Sequence, residues 1–181
     1  MAPLDTSYNQ VALDSILAVF QCDSTLTFVG YQPTGPQVNV PISKVEEGGW
    51  TECHKRRYNQ PIFAKDYEEI SQTDCKANFV MVGCRKTKSN LMKLLAWAKH
   101  SDVFGKTADK CDGKGQGRVS EGTRWYSYED TTWGQAYGAF GFADEKSNLK
   151  LTCPDTKWTS PKKRLSWRLY GPSSWNTGGY R

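Results

Sequence analysis

Six cysteines spread along the 181-residue chain restrict its fold more than any other feature. An even number can form three disulfides, which would join distant segments and place the domain in an oxidising compartment. The chain has no CxxC pair and only two histidines, so the spacing matches no common zinc module. The alternative is buried free thiols, because cysteine is often a core residue. We predict disulfide roles for Cys22, Cys53, Cys75, Cys84, Cys111 and Cys153. Cys75 and Cys84 are the expected pair, since the short segment between them can bend back.

Large aromatic side chains must supply much of the buried surface. Hydrophobic residues make up 38% of the chain, but 13% of it is aromatic and seven residues are Trp. Such side chains pack well between sheets, and 16 Gly with 8 Pro indicate frequent turns. The length fits one domain of ordinary size. The composition therefore predicts a mainly β, disulfide-stabilised domain, an antiparallel sandwich or barrel-like fold, with a short N-terminal helix.

Helical spacing is found near the start of the chain. Ser7 and Gln10 resemble a capping box, in which the first side chain accepts a hydrogen bond from the first helical turn. The apolar residues between 8 and 20 then fall on one helical face. We predict a short amphipathic helix that packs on the rest of the domain. Packing on a membrane surface is not expected, because the polar face has no Lys or Arg.

A change of composition near residue 45 is the best candidate boundary. Residues 25–31 have the β-branched and aromatic character of a strand. The Pro- and Gly-containing stretch 33–41 then interrupts regular structure. We therefore expect residues 1–45 to hold a helix, a strand and a linker that pack on the body, and residues 46–181 to form the β-rich domain.

Apolar runs bounded by turn residues predict the strands of the second part. Residues 91–98 fit both helical and strand spacing, and we favour a strand. The Gly-rich and charged residues 105–122 predict a long loop. The other predicted strands are residues 79–84, 124–128, 137–142, 149–153 and 164–170.

The net charge of +5 is divided unevenly along the chain. Residues 1–50 carry one Lys against five acidic residues, so the basic side chains are concentrated in residues 51–181. This asymmetry can attract acidic partners such as sulfated sugars, nucleic acid or anionic surfaces. The competing interpretation is an ordinary solvated surface.

Catalytic motifs are lacking in the sequence, which contains no GxSxG, HExxH, Walker or GxGxxG pattern. Cys53 and His54 are neighbours, but neighbours in a strand point to opposite faces, which disfavours a catalytic pair. His100, Ser101 and Asp102 are the residue types of a serine-protease triad, but contiguous residues do not easily form one. A turn is the better interpretation. We therefore predict that the protein is not an enzyme and uses neither a metal nor another cofactor.

Two segments combine aromatic and polar side chains in the way that sugar-binding sites do. The apolar face of a pyranose stacks on Trp or Tyr, while its hydroxyl groups bond to polar side chains. Trp is mostly a buried residue, so packing is the competing interpretation. The predicted ligand-binding residues are Trp125, Tyr126, Tyr128, Asp130, Trp133, Trp175, Asn176 and Tyr180. The same rings with nearby basic clusters would suit nucleic acid, but no reader motif accompanies them and we do not expect that partner.

Several short motifs occur together in the body of the chain. They are residues 75–85, 94–98, 102–104, 125–126, 133–134, 165–167 and 178–181. In this combination the chain resembles, over about residues 50–181, a Trp- and Cys-containing module of secreted and cell-surface proteins of uncharacterised function. The resemblance implies an extracellular interaction module without catalytic residues. The chain departs from the pattern at Arg181, where the module continues with a cysteine, so one bridge of that scheme can differ here.

These features predict a non-catalytic binding module at the cell surface or outside the cell, lectin-like or adhesive, that recognises a glycan or a protein partner. No apolar run reaches the roughly 20 residues that span a bilayer, so we expect no membrane span. The N terminus lacks the pattern of a secretory signal, which counts against secretion. Two alternatives stay open. One is a structural subunit of a larger homo- or hetero-oligomeric assembly, and the other is an enzyme whose site shows no motif.

Overall fold

The computed structural model describes residues 15–23, 30–57, 62–105, 117–130, 137–145, 165–170 and 179–180. In chain order the strands are β1 Ser15–Cys22, β2 Gln37–Pro41, β3 Thr51–Arg57, β4 Ile62–Phe63, β5 Phe79–Lys86, β6 Leu91–Lys99, β7 Arg118–Ser120, β8 Thr123–Asp130, β9 Tyr137–Asp144, β10 Leu165–Tyr170 and β11 Gly179–Tyr180. The helices are α1 Ile42–Glu47, α2 Ala64–Glu69 and α3 His100–Phe104, and a π-helical turn, Ile70–Asp74, follows α2 directly.

The strands form two sheets. The first has the order β2-β6-β5-β1-β3, and all of its neighbours are antiparallel. The second has the order β11-β10-β9-β8-β7, also antiparallel, with β4 added in parallel beside β10. The prediction of a mainly β, antiparallel fold is therefore confirmed. Neither sheet closes on itself among the described residues, and the sandwich arrangement stays a prediction.

The first sheet is buried on both faces. Alternate residues of a strand point to opposite sides. One side shares a core with the second sheet through Trp125, Phe142 and Leu165. The other side packs against Val45 of α1 and against Trp50. Because both faces are covered, β5 and β6 are apolar at nearly every position, as strands between two layers are.

The predicted N-terminal helix is wrong for residues 15 to 20, which belong to β1. Val19 and Phe20 were expected on one helical face, but they pack in the two different cores on opposite sides of the sheet. A strand with both faces buried carries apolar residues at successive positions, and such a run also satisfies helical spacing. Residues 8 to 14 lie outside the described part of the chain.

The predicted strands of the body agree with the structure wherever it describes them. Residues 79–84, 91–98, 124–128 and 137–142 lie within β5, β6, β8 and β9, and β10 covers residues 165–170. The predicted strand at residues 149–153, and most of the one at 25–31, lie outside the described residues.

Three predictions for the connecting segments need correction or stay open. The stretch 33–41 does not lack regular structure, because it contains β2, an edge strand that ends at Pro41 and so tolerates a residue without an N–H. The predicted loop 105–122 contains β7, and its residues 106–116 are not described. The boundary near residue 45 falls inside α1, while β1 hydrogen-bonds to β3 and β5 within one sheet. The division into two parts stays a prediction.

Each helix begins directly where a strand ends. β2 leads into α1, β4 into α2 and β6 into α3. β6 ends at Lys99 and α3 begins at His100, so no loop separates them. None of the helices in the described ranges is long and apolar enough to cross a membrane.

A disulfide joins Cys53 in β3 to Cys75, which directly follows the π-helical turn, with the two Cα atoms 5.3 Å apart. The expected pairing of Cys75 with Cys84 is wrong. The pairing of β3 with β1 contains an irregularity: Val19 is opposite His54 and Phe20 is opposite Glu52, so Cys53 is the extra residue of a β-bulge. The bulge re-aims Cys53 towards the turn.

The structure combines both interpretations of the cysteines. Cys22 and Cys84 are buried free thiols, so disulfide roles for these two residues are wrong. Cys84 points into the core between the sheets, and burial raises its pKa to about 12. Burial, with a smaller contribution from Asp23, also raises the pKa of Cys22. Cys111 and Cys153 lie outside the described residues.

Candidate functional site

An open pocket of about 450 Å³ lies at the end of the first sheet where β5 begins and β6 ends. Two chain segments supply its walls. Residues 76–79 enter β5, and residues 99–101 leave β6 and begin α3. Phe79 and Lys99 are register partners in the antiparallel pair, which brings the two segments side by side. The lining residues are Lys76, Ala77, Asn78, Phe79, Lys99, His100 and Ser101.

The first wall is anchored by the π-helical turn. The backbone N–H of Cys75 donates to the carbonyl oxygen of Ile70 at 2.8 Å and closes the turn, while the disulfide fixes Cys75 to β3. One residue earlier, the carboxylate of Asp74 accepts a hydrogen bond from Nδ1 of His54 at 3.0 Å. Cys53 and His54 thus both contact this turn, although strand neighbours normally point apart. The β-bulge at Cys53 is the physical reason for the difference.

Further contacts fix the wall beyond the disulfide. The backbone N–H of Ala77 donates to Oε1 of Gln21 at 3.1 Å, which ties the segment to β1. The ring of Phe79 meets Trp97 edge to face, with the ring centres 5.9 Å apart. The indole N–H of Trp97 in turn donates to the carbonyl oxygen of Pro33 at 2.7 Å. The aromatic side of the pocket is therefore held in one orientation.

His100 links the second wall to the first. Its backbone N–H donates to the carbonyl oxygen of Asn78 at 2.8 Å. Its ring Nε2 lies 2.6 Å from the carbonyl oxygen of Ser71 and must carry a proton there, because a carbonyl can only accept. The ring also packs on Phe104, with the centres 4.9 Å apart. These contacts fix the imidazole and leave Nδ1 as its remaining polar atom.

The pocket is electropositive. Lys76 and Lys99 are exposed at its rim, and the lining residues that the structure describes include no acidic one. The carboxylates next to the two walls in sequence are both engaged elsewhere. Asp74 accepts from His54, and Asp102 accepts from the hydroxyl of Ser120 at 2.8 Å. Among the described residues neither carboxylate forms an ion pair with these lysines, so their charge can attract an anionic ligand.

The groups in the pocket suit non-covalent recognition. Two ammonium groups can bind an anion, while the side chains of Asn78 and Ser101 can bond to neutral hydroxyl groups. Phe79 adds an aromatic surface, which an apolar sugar face can contact. In the part of the chain that the structure describes, no group of three or more His, Cys, Asp or Glu side chains is arranged to hold a metal ion.

The predicted ligand-binding residues do not form this pocket. Trp125 and Tyr126 are 0% and 1% exposed, and the ring of Trp125 packs on Phe142 with the centres 5.2 Å apart. These two side chains are core residues in this structure, and their burial leaves no ring face for a sugar. We therefore no longer propose them as ligand contacts.

The other predicted ligand-binding residues are placed only in part. Tyr128 and Asp130 belong to β8, where their backbones pair with Ala139 and Tyr137 of β9. Tyr180 belongs to β11 and pairs with Leu165. Trp133, Trp175 and Asn176 lie outside the described residues. A shared site for these residues stays a prediction.

The positions of two lysines relative to the predicted strands point to the pocket, but they match no sequence motif. Lys76 and Lys99 lie just outside one strand and at the end of another, and antiparallel pairing of those two strands brings them together. Both strands were predicted, but their register was not. His100 and Ser101 were interpreted as a turn, and the structure places them in the first turn of α3, beside the lysines.

Comparison of the chain with models of protein families, with curated protein sequences and with solved structures finds no match. The resemblance to a secreted Trp- and Cys-containing module stays a prediction. The geometry of the pocket is therefore what carries a functional proposal.

Proposed function

We propose that this chain is a non-catalytic binding module that works outside the reducing cytosol and holds an acidic glycan in the pocket at the ends of β5 and β6. The observation that carries the proposal is the lining itself. It brings Lys76 and Lys99 together with the ring of Phe79, and none of its described residues carries a carboxylate. A sulfated or carboxylated sugar presents the matching groups, an anion, several hydroxyls and an apolar ring face.

The size and openness of the pocket favour a glycan over a small free anion. A volume of about 450 Å³ lies in the range of ligand sites, roughly 300 to 1,000 Å³, and is far larger than one sulfate needs. Because the pocket is open to solvent, a sugar unit can occupy it while the rest of a chain extends outwards. The uneven distribution of charge supports the same class of ligand, since the basic residues are concentrated in residues 51–181.

The disulfide supports an extracellular or cell-surface location. Structural disulfides form and persist in oxidising compartments and are rare in the reducing cytosol. The Cys53–Cys75 bridge fixes the turn that leads into the first wall of the pocket. A location outside the cytosol would therefore preserve both the fold and the proposed site.

Binding to a defined sulfated sugar tests the proposal. The oxidised protein is titrated with a heparin hexasaccharide and, in parallel, with the same hexasaccharide after removal of its sulfates. We expect the sulfated form to bind and the desulfated form to bind at least about tenfold more weakly. A double variant, Lys76→Gln with Lys99→Gln, should lose at least about tenfold in affinity for the sulfated form.

A matched control separates the pocket from the overall charge. The variant Lys88→Gln with Lys93→Gln removes two cations from the other end of the β5–β6 hairpin, and should bind like the wild type. Equal losses in the two double variants would show a diffuse charge effect and contradict the pocket. Binding of an acidic protein segment in place of either sugar would retain the site and change the ligand class.

A further inference from the structure

The second wall of the pocket depends on contacts from outside its own strand. α3 has only five residues, and the residue before it, Lys99, makes no side-chain cap. A helix this short is not stable on its own, because one turn fixes several backbone angles for very few hydrogen bonds. Tertiary contacts must therefore hold His100 and Ser101 in place.

Arg118 and Ser120 of β7, in the second sheet, hold the first turn of α3. An Nη1 hydrogen of Arg118 is donated to the carbonyl oxygen of Ser101 at 2.8 Å. The Nε atom of Arg118 lies 3.9 Å from one carboxylate oxygen of Asp102, and the hydroxyl of Ser120 donates to the other at 2.8 Å. Side chains of β7 thus contact two consecutive residues of α3, the backbone carbonyl of Ser101 and the side chain of Asp102.

Gly105 leaves the space that Arg118 occupies. Its backbone angles, φ −64° and ψ 134°, are open to any residue, so conformational freedom does not explain the glycine. A Cβ at this position would collide with Nη1 of Arg118 and with the carbonyl oxygen of Ser101. These are the two atoms of the hydrogen bond. The absence of a side chain at Gly105 therefore permits the contact between Arg118 and Ser101.

We infer that Arg118 is a positioning residue for the pocket: it does not line the pocket, but it holds Ser101 and the start of α3 against the wall formed by residues 76–79. The inference rests on the proposed function, because one of the two measurements that test it is the affinity for the ligand. An ordinary surface ion pair is the competing explanation, since the Arg118 side chain is 40% exposed and such pairs contribute little. That explanation accounts neither for the bond to a backbone carbonyl nor for the space at Gly105.

The variant Arg118→Ala tests the inference in the full, oxidised chain. Amide hydrogen exchange of residues 100 to 104 is measured first without ligand, and we expect it to become about tenfold faster, because α3 loses a hydrogen bond that holds it. Affinity for the sulfated heparin hexasaccharide should fall by a similar factor, about tenfold. Lys88→Ala, which also removes one exposed cation, should change neither quantity.

The salt dependence of binding separates positioning from direct contact. Each cation that touches a polyanion displaces counterions, so its loss lowers the slope of log affinity against log salt concentration. We expect Lys76→Gln to lower this slope and Arg118→Ala to leave it unchanged. Arg118→Lys should restore part of the affinity, because an ammonium group can still donate to the carbonyl oxygen of Ser101.

The outcomes are distinct. Unchanged exchange at residues 100 to 104 in Arg118→Ala would overturn the inference whether or not the hexasaccharide binds. A slope lowered as much as in Lys76→Gln would place Arg118 in contact with the ligand and would also overturn it. Failure of the wild type to bind any sulfated sugar would contradict the proposed function alone. Gly105→Ala, which leaves the charge unchanged, should accelerate exchange in the same residues, and normal exchange there would contradict the role given to this glycine.

Discussion

Loss of the Cys53–Cys75 disulfide should lower the free energy of unfolding by about 3 kcal/mol. The bridge joins residues separated by 22 positions, and the loop-closure entropy of a loop of that length corresponds to about 3 kcal/mol at 25 °C. The perturbation is the double variant Cys53→Ala with Cys75→Ala. Urea unfolding, followed by the fluorescence of the seven Trp residues, gives both the free energy and its dependence on urea. That dependence should steepen, because the unfolded chain becomes more expanded without the bridge.

The reduced wild type is the control for packing. Cys75 is fully buried, so its replacement removes core contacts as well as the bridge. Reduction by a phosphine opens the cross-link and leaves the side chains of Cys53 and Cys75 in place. We expect the reduced protein to lose about 3 kcal/mol and the double variant to lose a further amount of roughly 1 kcal/mol for the lost contacts. A loss below about 1 kcal/mol on reduction would refute the entropic reasoning and assign the stability of this corner to the other contacts of the turn.

Three further outcomes follow from the buried groups of the core. Trp125→Ala should cost roughly 3 to 5 kcal/mol in urea unfolding, because the ring is fully buried; a cost within about 0.5 kcal/mol would indicate an exposed ring after all. Burial raises the pKa of Cys84 from 9.0 to about 12, so its thiol should resist iodoacetamide at pH 8 in the folded protein, and labelling at the rate of the urea-unfolded protein would contradict this. Burial also raises the pKa of Tyr67. The unfolded chain therefore releases protons above about pH 9 that the folded chain retains, and the free energy of unfolding should fall as the pH rises from 9 to 12; a constant value there would contradict the burial of both groups.

The strands of the body could be predicted from local pattern because their ends are marked and their composition is unambiguous. β5 contains Val and other apolar residues, β6 contains large apolar residues, and β8 contains three aromatic residues. The sequence favoured a strand over a helix only slightly for residues 91–98. Both faces of β6 are buried, and the alternation of apolar and polar residues that marks a strand is lost where successive residues are apolar. The same condition in β1, without flanking turn signals, led to the wrong helix.

The cysteine pairing could not be predicted because it depends on contacts distant in sequence. Cys75 and Cys84 are close along the chain, but β5 carries Cys84 into the core between the sheets. Cys53 reaches Cys75 only because a β-bulge adds a residue to β3 opposite β1. A bulge follows from the register of two strands, and register is not visible in either strand alone.

The candidate site could not be predicted from sequence motifs, because it too depends on contacts between residues distant in sequence. Aromatic residues beside polar ones suggested a sugar site at Trp125 and Tyr126, but in a chain with few aliphatic residues the rings are needed for the core. The lysines of the pocket are 23 residues apart, and neither belongs to a pattern of its own. Their proximity follows from the pairing of Phe79 with Lys99, which is a property of the folded sheet.

The π-helical turn connects stability with the proposed function. Both histidines of the chain hold it, His54 through the carboxylate of Asp74 and His100 through the carbonyl oxygen of Ser71. A disulfide alone would explain why the turn is rigid, but it would leave the charge of Asp74 beside Lys76. The hydrogen bond from His54 directs that carboxylate towards β3, and Ser120 and Arg118 do the same for Asp102 on the opposite wall. Since a free carboxylate near either lysine would oppose an anionic ligand, these polar contacts serve the electrostatics of the pocket as well as its shape. π-Helical turns frequently occur at functional sites, and the contacts around this one give a physical reason for its place next to the pocket.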